Sequence, residues 1–187
     1  RYGLVGSEMC IRDRTSTTSQ MEAKLIHKKD FREVWDDGKY IIKKTLPDAF
    51  DFETYKHFQE QNPCLVKVHS FEDGVIVMDK VPGLYWLDYR KQATIDELWY
   101  ICNTHRYELW KRYFEFMQTQ TVDPNQKVFF HADGVPGNVI VNNGEPTYVD
   151  PDGTMWMQWD MFLQKLNEHH FVWWNEYTNC AHRGMAK

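Results

Sequence analysis

Residues 130–153 constrain this chain more than any other stretch. They read Phe-His-Ala-Asp-Gly-Val-Pro-Gly-Asn-Val-Ile-Val-Asn-Asn-Gly-Glu-Pro-Thr-Tyr-Val-Asp-Pro-Asp-Gly. Val139-Ile140-Val141 is an apolar β-branched run, and Thr147-Tyr148-Val149 is a second. Asn143-Gly144 between them is a strong two-residue hairpin signal, because a type I′ turn needs positive φ at both central positions. Such a hairpin carries the end of its return strand back beside the start of its first, so Asp150 is delivered next to Asn138. Upstream, Gly134, Pro136 and Gly137 allow a tight loop after Asp133. An ordinary hairpin with polar turn residues accounts for any one of these features. Their joint order, His131, Asp133, Asn138, hairpin, Asp150, asks for a chemical reading.

The residue types point to phosphoryl-transfer chemistry. One aspartate accepts the proton of an attacking hydroxyl. An asparagine and a second aspartate offer the hard oxygen ligands that Mg²⁺ prefers against ATP phosphates. The H-x-D-x-x-x-x-N spacing resembles the catalytic loop of the protein-kinase-like superfamily. The Pro-Gly-Asn ending is most similar to its aminoglycoside-phosphotransferase and choline-kinase branch. The resemblance spans about residues 27–170 and is densest at 131–150.

The resemblance implies an α+β, two-lobed protein-kinase-like fold. Residues 21–80 would form a small antiparallel β N-lobe with one helix that binds ATP. Residues 81–187 would form a reduced, mostly helical C-lobe with a catalytic β-hairpin. It implies an enzyme that uses ATP and Mg²⁺ to phosphorylate a hydroxyl of a small molecule. Asp133 is then the base, in a catalytic loop with His131 and Asn138. His131 is expected to be structural, bonded to loop backbone. Asn138 and Asp150 are the metal residues. Asp152 competes with Asp150, because this chain has Asp150-Pro151-Asp152-Gly153 where protein kinases have Asp-Phe-Gly.

The N-terminal half supplies the expected ATP-holding parts. Glu33 to Lys43 reads as a hairpin turned at Asp37-Gly38. Tyr40-Ile41-Ile42-Lys43 resembles the strand whose lysine contacts ATP phosphates. Lys44 is the rival, since alternation turns only one of the pair to the cleft. Asp48 to Gln61 reads as a helix with Phe52, Tyr55 and Phe58 near one face, ended by Asn62-Pro63. Glu53 is the expected partner of Lys43, with Glu60 as second candidate. Leu65–Val68 and Gly74–Met78 read as strands. Val77 to Gly83 resembles the hinge between lobes, where adenine meets backbone near Met78, Asp79 and Val81. A glycine-rich phosphate loop belongs at His27–Arg32, but that segment has no glycine, so backbone approaches phosphate less closely. This opens a second reading, a catalytically weak or inactive kinase-like binding protein. A protein kinase is a third.

In the C-terminal half, Thr94 caps a helix running to about Thr121, and its aromatic stripe reads as core. Trp159-Asp160-Met161 opens a last helix. Asp160 resembles the buried acid that bonds the catalytic loop; a plain N-cap is the equal alternative. His169, His170 and His182 read as a solvated helix face. Val135, where protein kinases usually carry Lys, and the lack of an A-P-E motif favour a small-molecule acceptor over a protein.

With 187 residues there is length for a real core. A net charge of −5 and 16% aromatic residues argue against disorder and against a nucleic-acid partner. No run approaches the roughly 18 apolar residues of a membrane span, so no membrane partner is expected. Cysteines 10, 64, 102 and 180 lack paired spacing and suggest reduced thiols in a cytoplasmic protein. Oligomeric state is left open. Residues 1–20 look foreign: Met9 to Arg14 resembles a translated sequencing-adapter end. The natural start is expected at Met21, with the preceding segment dispensable.

Overall fold

The computed structural model describes residues 23–119 and 127–185. The foreign-looking segment 1–20, the start at Met21 and the end of the helix expected to reach Thr121 lie outside the described residues.

Period-two alternation in the first half builds one antiparallel sheet. Its strands are β1 (Lys24–Lys29), β2 (Arg32–Asp36), β3 (Tyr40–Lys44), β4 (Val68–Glu72) and β5 (Val75–Asp79), in the order β1-β2-β3-β5-β4. The β4–β5 turn places Asp73 and Gly74 at positive φ, 48° and 77°. A Cβ on Gly74 would stand 2.4 Å from the Thr45 carbonyl oxygen, so glycine is required there by space as well as by φ. Register sets Lys43 opposite Ile76 and Ile41 opposite Met78. Directly opposed residues share a face. Lys43, Ile76 and Met78 therefore point together into the protein and are buried. Lys44 points outward and pairs with Glu33 at 3.4 Å. This decides between the two lysines.

Helix α1 (Phe52–Gln61) starts later than Asp48 because Asp51 caps it, accepting from the Thr54 N–H at 3.1 Å. Two other elements differ from expectation. The segment His27–Arg32 is the end of β1, a tight turn with Asp30 at φ 52°, and the first residue of β2, rather than an open loop. Leu65–Lys67 is not in the sheet. There the Val66 N–H donates to Tyr148 O at 2.9 Å, and the Tyr148 N–H donates to Cys64 O at 2.7 Å. The apolar run finds its hydrogen bonds on the other lobe.

The second half holds β6 (Leu84–Tyr85), α2 (Trp86–Tyr89), α3 (Ile95–Trp99), a π-helical segment (Tyr100–His105) and α4 (Arg106–Thr119). It continues through β7 (Lys127–His131), β8 (Val139–Asn142), β9 (Glu145–Tyr148) and β10 (Thr154–Gln158) to the long helix α5 (Trp159–Met185). Thr94 and Glu97 form a reciprocal capping box at the start of α3. The β8–β9 turn is Asn143-Gly144, with φ 51° and 81° as a type I′ turn requires. β7 pairs with β10, and β6 with β8.

The core is aromatic and continuous across both halves. Phe58 of α1 packs on Tyr113 and Phe116 of α4, with ring centroids 4.5 and 4.9 Å apart. Phe130 of β7 packs on Phe162 of α5 at 5.1 Å. The result is an α+β arrangement: an antiparallel β-sheet with one helix in the first half, and a mostly helical second half carrying the hairpin. Among the described residues no helix is long and apolar enough to cross a membrane.

Candidate active site

The loop that begins at His131 is fixed by backbone bonds. The His131 ring is buried, and its Nε2 lies 3.1 Å from the Val149 carbonyl. A carbonyl only accepts, so Nε2 carries the proton. Burial holds the imidazole pKa down, opposed by the Val149 contact. Asp133 is exposed, one residue past the turn's start. Its carbonyl oxygen accepts from Asn138 Nδ2 at 2.9 Å and from the Val135 N–H at 2.7 Å. A short 3₁₀ turn, Pro136–Asn138, carries Asn138 to the start of β8. Among the described residues Gly134 and Gly137 do not take positive φ. The glycine that proximity demands is Gly153, where a Cβ would meet Asp133 Cβ and His131 Cε1, both at 3.1 Å.

The hairpin then returns. The Val149 N–H donates to Asn138 O at 2.9 Å, which sets Asn138 beside the strand end. Asp150 follows with φ 67° and ψ 58°, a left-handed conformation that costs a non-glycine residue energy. Pro151–Gly153 turns the chain into β10. From the first half, Lys43 Nζ of β3 reaches both carboxylates: it bonds Asp150 Oδ1 and lies 2.5 Å from Asp152 Oδ1. The Asp152 side chain is 5% exposed and that of Asp150 is 29% exposed. Asp150 is therefore the more open of the two.

The expected Lys43–Glu53 pair is absent. The Glu53 side chain is 81% exposed and its nearest cation is Lys56, at 3.9 Å. α1 buries Tyr55 and Phe58, and Glu53 sits about 200° around the helix from Tyr55, on the solvent side. Glu60 is exposed as well. On the inner side of α1, Gln59 instead bonds the Val68 backbone, donating to its carbonyl at 3.1 Å and accepting its N–H at 2.8 Å.

At the end of β5, Met78 is buried, Val81 packs against the core, and the Asp79 carboxylate pairs with His69 Nε2 at 2.6 Å. The Asp79 N–H donates to Lys67 O at 2.9 Å. In this hinge-like strip the Asp79 amide is thus engaged within the protein.

Two further corrections concern α5. Asp160 is exposed and its Oδ1 accepts from the Met161 N–H at 2.9 Å; among the described residues it makes no bond to the loop at Asp133. His169 is not solvated. It is 4% exposed and its Nε2 lies 2.8 Å from Ala132 O. Trp173 Nε1 donates to Gly134 O at 2.9 Å. The sequence carries a signal for both. Phe162, Leu166, His169 and Trp173 recur at steps of four, three and four, which places His169 on the buried stripe.

Among the described residues no group of three or more His, Cys, Asp and Glu side chains is arranged to hold a metal. Two carboxylates and an amide do suit Mg²⁺, whose other ligands are phosphate and water oxygens. That the Lys43 ammonium sits between Asp150 and Asp152 shows that the pair accepts positive charge.

No family model and no curated protein matches the chain. Several solved structures match it with TM-scores below 0.5. The kinase PK-1 of Cydia pomonella granulovirus matches with a TM-score of 0.46 and 17% identity over 72% of this chain. This chain spans about half of that protein, 52%. An ADP-bound aminoglycoside phosphotransferase matches with a TM-score of 0.48 and 12% identity, covering 80% of this chain and 77% of that one. A Plasmodium vivax ethanolamine kinase matches with a TM-score of 0.46 and 12% identity, covering 77% and 59%.

Proposed function

We propose that this chain is an ATP- and Mg²⁺-dependent phosphotransferase that moves the γ-phosphoryl group of ATP to a hydroxyl of a small molecule. The observation that supports it most is the convergence of Lys43 from the N-lobe with Asp150 and Asp152 from the turn after the hairpin. An ammonium beside two carboxylates, with Asn138 and an exposed Asp133 nearby in the chain path, is the charge pattern that phosphate transfer uses.

In this reading Asp133 orients the acceptor hydroxyl and takes its proton. The oxygen forms a bond to the γ-phosphorus as the bond to the β-phosphate bridging oxygen breaks, and ADP leaves. Lys43 turns from the carboxylates to the phosphate oxygens. Asp150, Asp152 and Asn138 would hold Mg²⁺, which supplies charge neutralisation at the phosphates. Backbone at Asp79 to Val81, beside buried Met78, would hold adenine. His131 keeps the loop in shape and moves no proton. Most of the rate enhancement comes from positioning and fixed charge.

The second reading is a nucleotide-binding protein without turnover. The closed, glycine-free β1–β2 turn at Asp30-Phe31 favours it. The deciding experiment measures ATP turnover and phosphate transfer across aminoglycosides, choline-like alcohols and sugars, with and without Mg²⁺. Transfer to one class supports the first reading. Mg²⁺-linked ATP binding with no transfer to any class supports the second.

A further inference from the structure

We infer that His169 and Trp173 of α5 are positioning residues that clamp the peptide on both sides of Asp133. Three successive carbonyls in the loop are each held by a side-chain donor. Ala132 O accepts from His169 Nε2 at 2.8 Å, Asp133 O from Asn138 Nδ2 at 2.9 Å, and Gly134 O from Trp173 Nε1 at 2.9 Å. Four residues apart, His169 and Trp173 lie on one face of α5, and both are buried. The Trp173–Gly134 bond is buried and the His169–Ala132 bond partly so, and such groups are costly to leave unpaired, so these two ends of the clamp resist opening.

The clamp is itself anchored. The His169 carbonyl accepts from Arg106 Nη1 at 3.0 Å, and the Arg106 guanidinium lies over the Trp110 ring at 4.7 Å. The His169 ring packs on Phe130, with centroids 5.3 Å apart, and its Cε1 stands 3.4 Å from where a Gly134 Cβ would be. The chain Trp110–Arg106–His169–Ala132 ties α4 and α5 to the loop. With its backbone held at 132, 133 and 134, Asp133 has only side-chain rotation left. Asp160, for which a bond to this loop and a plain N-cap are equal alternatives in the sequence, faces solvent.

The functional half of this inference rests on the phosphotransferase reading; the structural half does not. Two readouts on the full chain separate them. The first is amide hydrogen exchange at Gly134 and Val135 without ligand. Trp173→Phe keeps the ring and removes the donor, so exchange should quicken by roughly tenfold, the scale of one buried hydrogen bond. His169→Leu should do the same, and His169→Gln, whose amide keeps a donor near the Nε2 position, should restore protection.

The second readout is steady-state transfer. Trp173→Phe and His169→Leu should lower kcat by on the order of 10- to 100-fold with KM for ATP nearly unchanged, because misplacement of the base acts on the chemical step. In an Asp133→Asn background the same Trp173→Phe change should cost little more, since both act through one carboxylate. Unchanged exchange in Trp173→Phe and His169→Leu overturns the clamp. A full additional loss of kcat in the Asp133→Asn background overturns the positioning role and leaves only a stabilising one. Quickened exchange in a protein whose wild type transfers no phosphate supports the clamp and overturns the phosphotransferase reading instead. Should His169→Leu fail to fold, Trp173→Phe carries both tests.

Discussion

Asp150 holds a left-handed backbone in which aspartate is tolerated and most residues are not. Such strain persists only where surrounding contacts impose it. Here they are the β8–β9 ladder on one side and Pro151 on the other. The greater exposure of its carboxylate makes Asp150, rather than Asp152, the acid through which Mg²⁺ should link to ATP binding. Asp150→Asn, which keeps the left-handed preference and removes the charge, should therefore abolish most of the Mg²⁺-dependent part of ATP affinity. Asp152→Asn should lose less. Calorimetric titration of ATP with and without Mg²⁺ compares them, and a larger loss in Asp152→Asn reverses the assignment. At Asp133 the expected change is in rate alone. Asp133→Asn should cut transfer by on the order of 10²-fold or more while ATP binds as before. Wild-type turnover in that variant removes Asp133 from the mechanism.

At the scale of elements, α1 is held at one end by a single residue with two duties. Asp51 caps the helix through the Thr54 N–H, and its Oδ2 accepts from Trp156 Nε1 of β10 at 2.9 Å. Asp51→Ala should destabilise the protein by about 1–2 kcal/mol, a Tm fall of roughly 2–8 °C. Asp51→Asn should recover the cap but not the Trp156 bond, because its amide nitrogen cannot accept. A thermal melt unchanged in the alanine variant would show that the cap is redundant. The elements also show why sequence reading works unevenly. The Thr94 cap and the Asn143-Gly144 turn are legible in the sequence because residues within one turn of each other decide them. Leu65–Lys67 has the apolar run of a strand, but such a run is equally suited to any buried extended path. Only the position of Tyr148 decides which path it takes.

For the molecule as a whole, histidines packed against the continuous aromatic core are biased towards their neutral form. His105 stacks on Tyr148 with rings 13° apart, and its Nδ1 is buried without a hydrogen-bond partner among the described residues. Burial, helped by the Arg112 charge, brings its pKa from 6.5 down to about 4. Burial also lowers His131 and His169. The unfolded chain therefore binds protons below about pH 6.5 that the folded chain does not. Stability is fully present above that pH and falls as pH drops towards 4, by about 1.4 kcal/mol per pH unit for His105 alone. Thermal melts between pH 7.5 and 5 should show Tm declining, and His105→Phe should flatten the decline. A flat profile in the wild type would mean that these rings are not held neutral.

The division between sequence and structure follows from range. Spacing and turn chemistry alone placed Asp133, Asn138 and Asp150 on one loop and one hairpin, because φ preferences and period-two alternation act between near neighbours. Alternation likewise allowed only one of Lys43 and Lys44 to face inward. The partners of Lys43 lie 107 and 109 residues away along the chain. Several carboxylates, Glu53 and Glu60 among them, offer a lysine the same chemistry, and helix rotation and lobe closure choose between them. The same holds for the loop's anchor. Asp160 and His169 are both polar residues on one helix, and only the packing of α5 against β7 turns His169 inward and leaves Asp160 in water.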